Sequence, residues 1–354
     1  MDRGLIFLCR DTYLDDHLDE VADRLASDGF AVRRGDPVAS GTKNVFSAEA
    51  RARLLTDAEV IVVSSRNLLS GEDMVSARRL RAVIAPTIGV DAIDLDAADR
   101  LGIIVGHGAM PENYLSMAEA TVMLMTALFY DLRGTERILR ADLPRPKRMI
   151  AQMLRGRTIG LIGFGRIARA IFERLAGWEV RVLVHDPYVA VETVPPGVRL
   201  VDLATLLSDS DLVSLHVTLD DTTRGMIGEA ELRAMKPGAF LVNTARGGLI
   251  DEGALYRRLV DGHLAGAALD NFAVEPLPAD SPLRRLENIF LTPHMIGHTR
   301  DVMAAIVPTL LENIGRVMRG ELPLYAKNSH IAAAWRQRLA TLSVNHRSVP
   351  QNTP

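Results

Sequence analysis

The chain reads as an α/β protein of two doubly wound parallel-sheet domains with a cleft between them. Three observations predict this. Short apolar runs alternate with amphipathic runs along most of the sequence, which is the pattern of repeated βα units. A length of 354 residues suits about two domains, each able to bury a core of its own. The stretch from Thr158 to Asp186 reads as strand, glycine turn, helix, strand and acid, the order that a Rossmann-like unit requires.

In chain order, Leu5 to Cys9 reads as a strand and Thr12 to Leu25 as an amphipathic helix with Asp15 in capping-box position. Phe30 to Arg33 is a short strand, Ser47 to Thr56 a helix, and Val60 to Ser64 and Leu80 to Ala85 are strands. A helix from about Asp94 to Leu101 and a strand at Ile103 to Val105 complete a first α/β domain. Ligands bind at the carboxyl ends of strands in such sheets, so the loops Ser64-Ser65-Arg66-Asn67 and Pro86-Thr87-Ile88-Gly89-Val90 are substrate candidates. Arg66 reads either as an anion contact or as a solvated loop charge. Ser116-Met117-Ala118-Glu119 has the form of a capping box that opens a long helix running to about Leu139. That helix is apolar on most sides and needs cover on more than one face, from a second subunit or from internal packing. Asp142 to Arg157, with its prolines and bases, reads as an exposed connection.

The central stretch then carries the first chemistry. Thr158 to Ile162 is a buried strand, and Gly163-Phe164-Gly165-Arg166-Ile167-Ala168 follows it. Gly163 allows a tight turn, Gly165 allows the backbone to approach a pyrophosphate, and small Ala168 lets helix and strand pack closely. Helix-start N–H groups face the phosphates. The helix runs to Ala176 and stops at Gly177, and Val180 to Val184 is the second strand. Asp186 at its end is placed to accept hydrogen bonds from a ribose diol and to repel a 2′-phosphate, which favours NAD over NADP.

Alternation continues with a helix from about Leu203 to Ser208, a strand at Asp211 to His216, a helix from Glu229 to Met235 and a strand at Ala239 to Asn243. A helix at Glu252 to Val260 and strands at Gly266 to Asn271 and Asn288 to Leu291 follow. Arg246, Glu275 and His294 stand just past strand ends, and in a parallel sheet those ends share the edge that holds the glycine loop. Taken singly, each has a plainer reading, as a solvated loop arginine, a Glu-Pro turn and a structural histidine. His298 reads as a helix-start residue or as a second polar group at the cleft. From His298 to Arg319 runs a helical pattern that Pro308 should kink or split, ended by Gly320. The domains would be joined by two crossings, Val105 to Ser116 and Thr292 to Thr299.

The balance of the sequence narrows the class. Hydrophobic residues make up 48% and charged ones 24%, with a net charge of -3, which gives no reason to expect nucleic acid or membrane partners. Cys9 is the only cysteine, so no intrachain disulfide forms and a reducing cytoplasm fits. The N-terminus has no signal-peptide pattern. The apolar window Ala118 to Leu132 is too short to span a bilayer. No metal site is expected, and the polar residues His346 to Pro354 are expected to be disordered.

Several segments together resemble the D-isomer-specific 2-hydroxyacid dehydrogenase family, in particular its phosphoglycerate dehydrogenase and glyoxylate-hydroxypyruvate reductase members. They are Gly160 to Ala168, Asp211 to His216, Met235 to Ala239, Asn243-Thr244-Ala245-Arg246-Gly247-Gly248-Leu249-Ile250-Asp251, Gly266 to Asp270, and Leu291 to His294. The resemblance is dense from about Leu80 to His294. It implies a discontinuous substrate-binding domain at 1–105 plus 298–325, an NAD-binding domain at 106–297, a C-terminal extension at 326–354, and a homodimer built around the long helix. It further implies that His294 exchanges a proton with the substrate's C2 oxygen, that Glu275 hydrogen-bonds it, and that Arg246 binds the carboxylate and the 2-keto oxygen. Substrate contacts would come from Arg66, Ile88, Gly89, Val90, Arg246 and His294. Cofactor contacts would come from Gly163, Phe164, Gly165, Arg166, Ile167, Asp186, His216, Thr218, Thr244, Ala245, Arg246, Asp270 and His294, with Asp270 meeting the nicotinamide carboxamide.

Four departures from the family pattern stand out. Gly108, Met110 and Pro111 occupy the place of Asn-x-Pro-Gly, Thr218 stands where proline is common, Asn271 to Val274 replace Val-Phe and acids, and Met295 follows His294. A glutamate at 275 argues against a formate dehydrogenase, which generally has glutamine there. An NAD-sensing corepressor and a phosphite-type dehydrogenase remain the alternatives to a 2-hydroxy acid enzyme.

Overall fold

Most strands of residues 5–106 are apolar runs buried on both faces, which leaves no polar register to choose, while the run at 31–34 is half-buried and the pair at 44–45 part-exposed. The strands are β1 (Leu5–Leu8), β2 (Ala31–Arg34), a two-residue β3 (Asn44–Val45), β4 (Ala58–Val62), a two-residue β5 (Asn67–Leu68), β6 (Ala82–Ile84) and β7 (Ile104–Gly106). The helices between them are α1 (Asp15–Ser27), α2 (Ala48–Leu54), α3 (Gly71–Ser76) and α4 (Leu95–Leu101). The computed structural model describes residues 4–38, 42–147 and 149–347. Its chain divides into a first unit, Met1–Asn113 with Thr299–Pro354, and a second, Tyr114–His298.

In the first unit β2-β1-β4-β6-β7 form one parallel sheet, and β3 pairs with β5 apart from it. Three local expectations are corrected. α1 begins at Asp15 rather than Thr12; residues 12–14 form a turn, and Asp15 reaches back to accept from the Asp11 N–H (2.8 Å). β4 ends two residues early because Ser64 turns the chain, its carbonyl accepting from the Asn67 N–H (3.1 Å). The β3–β5 pair and α3 went unseen, being too short for a periodicity to register.

The second unit begins within α5 (Pro111–Phe129), which is followed by α6 (Leu132–Arg140). α5 starts five residues before the expected capping box, because Pro111 needs no donor in a first turn and presets the helical φ. Ser116 therefore lies inside the helix. The helix also fails to run on to Leu139: Asp131 takes a left-handed conformation (φ 47°), and α6 departs at 61°. No single helix among the described residues is long and apolar enough to cross a membrane. Between 141 and 157 the described residues form no helix or strand, and Arg148 lies outside them.

The seven strands of this unit are β8 (Thr158–Ile162), β9 (Arg181–His185), β10 (Val198–Leu200), β11 (Leu212–Leu215), β12 (Ala239–Asn243), β13 (Leu264–Leu269) and β14 (Ile289–Leu291). They alternate with α7 (Arg166–Arg174), α8 (Leu203–Asp209), α9 (Glu229–Ala234) and α10 (Glu252–Val260). The sheet is parallel throughout in the order β10-β9-β8-β11-β12-β13-β14, so the strand order reverses between β8 and β11. Side chains alternate between two cores with the period of a strand. Ile159 and Leu161 join one core and Ile162 the other; Phe240 and Val242 are opposed to Leu241 in the same way. β10 was missed, and β13 lies two residues earlier than expected, for Asp270 and Asn271 already belong to the turn.

The chain then returns to the first unit as α11 (Arg300–Met318) and α12 (Ala332–Arg347). α11 passes through Pro308 unbroken, because Val302, Ile306, Val307, Leu310, Ile314 and Val317 are buried along it, and that packing outweighs the lost helical bond of roughly 3 kcal/mol. Residues 326–347 pack onto this unit. Ala326 bridges antiparallel to Gly106, Lys327 N–H donates to Val105 O (2.8 Å), and Trp335, wholly buried, donates to Arg81 O (2.8 Å). His346 and Arg347 close α12, while the rest of the polar stretch, 348–354, lies outside the described residues.

Candidate active site

The second unit gathers its polar groups where β8, β11, β12, β13 and β14 end. β8 is followed by Gly163, whose φ of 88° only glycine adopts without strain. A Cβ there would also stand 2.7 Å from His216 O, so this glycine is required by the protein's own atoms. Gly165 is different. It is the N-cap of α7 with no side-chain cap, and a Cβ on it would meet nothing within 4 Å. The open face over Gly165 and the helix start suits a pyrophosphate, which neighbouring N–H groups would bind. Phe164 packs under Arg169, whose guanidinium lies 4.5 Å from the ring centroid; Arg166 is exposed and Ile167 half-buried.

At the end of β9, Asp186 takes the Phe164 N–H on Oδ2 (2.8 Å) and the Tyr188 N–H on Oδ1 (3.0 Å). Both oxygens keep lone pairs for a diol, and the carboxylate is fixed to the glycine loop itself. Past β11 stands His216, whose Nε2 pairs with Ser214 Oγ (2.9 Å). Burial pushes its imidazole down to about 3, so it is neutral at physiological pH. Thr218 is exposed.

β12 ends in Asn243, fully buried, which folds the following turn onto itself: its Oδ1 accepts from the Ala245 N–H (3.0 Å) and its Nδ2 donates to Arg246 O (2.8 Å). Arg246 is half-buried and donates through Nη1 to Ala245 O (2.7 Å). Gly247 sits against the neighbouring turn so tightly that a Cβ would fall 1.9 Å from the carbonyl carbon of Phe272. That contact seats the Arg246 turn against the one carrying Glu275. There the Phe272 N–H donates to Glu275 Oε1 (3.1 Å), the Ala273 N–H donates to Glu252 Oε1 (2.6 Å), and the Glu275-Pro276 bond is cis.

His294, at φ 54° on the turn after β14, presents Nδ1 to both oxygens of Glu275, at 2.9 and 3.1 Å. Partial burial works to raise the Glu275 carboxyl, but the hydrogen bond and charge of His294, the Phe272 N–H and the charge of Arg246 outweigh it. The carboxyl is left below its ordinary range and is ionised at neutral pH. The side chain of His294 is 43% exposed, and Nε2 is the ring nitrogen that Glu275 does not engage.

Asp270, 2% exposed, organises the His294 turn. Its Oδ1 accepts from Thr292 Oγ1 (2.7 Å) and from the N–H groups of Met295 (3.1 Å) and Ile296 (3.2 Å). Burial raises its carboxyl despite those donors and the charge of His294. Next to it, Asn271 is buried with neither Nδ2 nor Oδ1 partnered by the protein. Thr244, 7% exposed, meets Thr121 of α5 (Oγ1 to Oγ1, 3.1 Å).

The first unit holds the other candidates. Arg66, half-buried after β4, stacks on Tyr13 with its guanidinium carbon 5.1 Å from the ring centroid. Ile88 and Gly89 are half-buried and Val90 is buried, in the loop after β6. His298 is exposed, and the helix start it was read for belongs to Thr299, whose Oγ1 accepts from the Val302 N–H (3.3 Å). Sequence reasoning passed over Asn243, Glu252 and Thr292, short polar residues whose role exists only once the turns are folded.

The chain is similar to known proteins. Residues 122–296 match the family model described as D-isomer specific 2-hydroxyacid dehydrogenase, NAD binding domain. D-3-phosphoglycerate dehydrogenase of Archaeoglobus fulgidus is 34% identical over 85% of this chain, which spans 57% of that longer protein. (S)-sulfolactate dehydrogenase of Chromohalobacter salexigens is 39% identical over 79% of this chain and 92% of its own length. A crystal structure of a glyoxylate reductase from Paecilomyes thermophila superposes with a TM-score of 0.80 at 26% identity, covering 93% of this chain and all of that one.

Proposed function

The chain belongs to the D-isomer specific 2-hydroxyacid dehydrogenase family, a family of NAD-dependent oxidoreductases, and we propose that it interconverts a small D-2-hydroxy acid and its 2-keto acid. The observation that carries this reading is the His294–Glu275 pair, seated beside the Arg246 turn on the strand edge of the glycine loop. NAD, when bound, supplies the hydride acceptor or, reduced, the hydride donor at C2. On reduction the C2 oxygen takes a proton from His294 Nε2, and on oxidation it returns one. Glu275 holds the ring by Nδ1 throughout and offsets the charge of the protonated form. Arg246 presents a planar fork to the carboxylate and the C2 oxygen, which a lysine does not replace.

Asp186 favours NAD over NADP by binding a diol and repelling a 2′-phosphate. The glycine loop from Gly163 through Phe164, Gly165, Arg166 and Ile167 receives the pyrophosphate. His216, Thr218, Thr244, Ala245 and Asp270 line the remainder of the cofactor's path. Arg66, Ile88, Gly89 and Val90 are proposed as substrate contacts; Arg66 would suit a second anionic group. A homodimer built on α5 and α6 is supported by the exposed apolar side chains Met123, Tyr130, Leu132 and Leu139, and a cytoplasmic setting by the buried thiol of Cys9.

The test is the loss of NADH absorbance with glyoxylate, hydroxypyruvate, pyruvate, 2-oxoglutarate, phenylpyruvate, phosphohydroxypyruvate and sulfopyruvate. Turnover of one or two is expected. A His294→Ala protein should keep its NADH affinity while turnover falls by about 10²–10⁴-fold. Ordinary turnover in that variant would remove the histidine from proton transfer.

A further inference from the structure

α5 touches both chemical turns of the second unit. Near its start, Ser116 Oγ, 8% exposed, donates to Gly297 O (2.8 Å), three residues past His294. Met117 seals the same place, for a Cβ on Gly297 would stand 2.0 Å from its sulfur. One turn on, Thr121, with no exposed surface, meets Thr244, two residues before Arg246.

The hydroxyl chain has a fixed direction. Thr121 Oγ1 lies 2.7 Å from Met117 O, an acceptor only, so the single Thr121 proton is committed there. The proton between the two threonines therefore comes from Thr244. Thr244 is left with lone pairs alone, and so it accepts from a ligand N–H or O–H but does not donate.

We propose that Ser116 and Thr121 are positioning residues, through which α5 sets the His294 turn and the Arg246 turn at their working separation and makes Thr244 an obligatory acceptor. This rests on the dehydrogenase reading for its kinetic consequence. Its structural consequence stands alone. A rigid helix fastened to both turns fixes the distance between the proton donor and the carboxylate binder, where a shift of about 1 Å costs roughly a hundredfold in rate.

Ser116→Ala, Thr121→Val and the hydroxyl-retaining Ser116→Thr and Thr121→Ser are compared with the parent full-length protein. By hydrogen exchange, Ser116→Ala should speed the amides of 292–298 by roughly tenfold and leave 244–248 unchanged, and Thr121→Val should do the reverse. By turnover, both should lower kcat by about ten- to a hundredfold with KM for the keto acid moved less, and Thr121→Ser should restore kcat. Exchange that rises equally in both turns, exchange that does not change, or Thr121→Ser as impaired as Thr121→Val would overturn the proposal. A parent inactive on every keto acid would instead refute the dehydrogenase reading, and the exchange pattern would still decide on the bracket.

Discussion

Replacing Asp186 with alanine separates cofactor choice from cofactor binding. The carboxylate is fixed by two backbone donors at 2.8 and 3.0 Å, so in the proposed role it would offer a ribose diol carboxylate hydrogen bonds without first having to be ordered. Losing one such bond costs about 1.5–3 kcal/mol, or roughly ten- to a hundredfold in Kd for NADH. NADPH, whose 2′-phosphate replaces the diol and meets the negative charge, should lose little or gain. The Phe164 and Tyr188 N–H groups also lose an acceptor, at about 0.5–1.5 kcal/mol each, which lowers Tm by a few degrees. Fluorescence titration with both reduced cofactors reads the ratio, and Asp186→Asn, which retains an acceptor oxygen, controls for the loop. Equal losses for NADH and NADPH would refute the argument, since the effect would then be one of loop stability alone.

Three further outcomes follow from particular atoms. Gly163→Ala should lower stability by about 2–4 kcal/mol, from left-handed strain plus the contact with His216 O, whereas Gly165→Ala should leave Tm nearly unchanged and still weaken NADH; an unaffected NADH Kd in Gly165→Ala would empty that face of its role. His216 has a folded pKa depressed to about 3, so the stability it contributes is complete above its unfolded value of about 6.5 and is lost as pH falls below it. At about pH 5 the loss is at most roughly 2 kcal/mol, less for a half-buried residue, and His216→Asn should flatten acid unfolding over that range; a curve identical to the parent's would be contrary evidence. Asn271→Val removes a buried amide that the protein leaves unpartnered and should stabilise by about 1–3 kcal/mol in denaturant titration, with a loss of stability counting against the orphaned amide.

Much of this was legible because burial and chirality leave few options. A strand buried on both faces, a glycine held at φ 88° and an acid after the next strand can each be read from Thr158 to Asp186 without a fold in view. Arg246, Glu275 and His294 could be placed at strand ends for the same reason. What escaped was set by tertiary contact. Ser116 looked like a helix start because its neighbours fit a capping box, yet Pro111 opened the helix and turned that hydroxyl toward Gly297. Pro308 looked like a kink or a break, and the packing around it kept α11 a single helix. Asp270 could be read as a ligand contact but not as the acceptor of three bonds from the turn that carries His294.

The antiparallel bridge between Gly106 and Ala326 has a meaning for how the protein is handled. β7 ends the five-stranded sheet, and a bare edge strand is a template on which other chains can add. Tyr325 and Lys327 occupy its outward hydrogen-bonding groups, bonding His107 N–H and Val105 O, and Trp335 locks the covering segment down. Residues 325–347 thus act as a selvedge on the sheet. Trimming them would expose the weave to self-association.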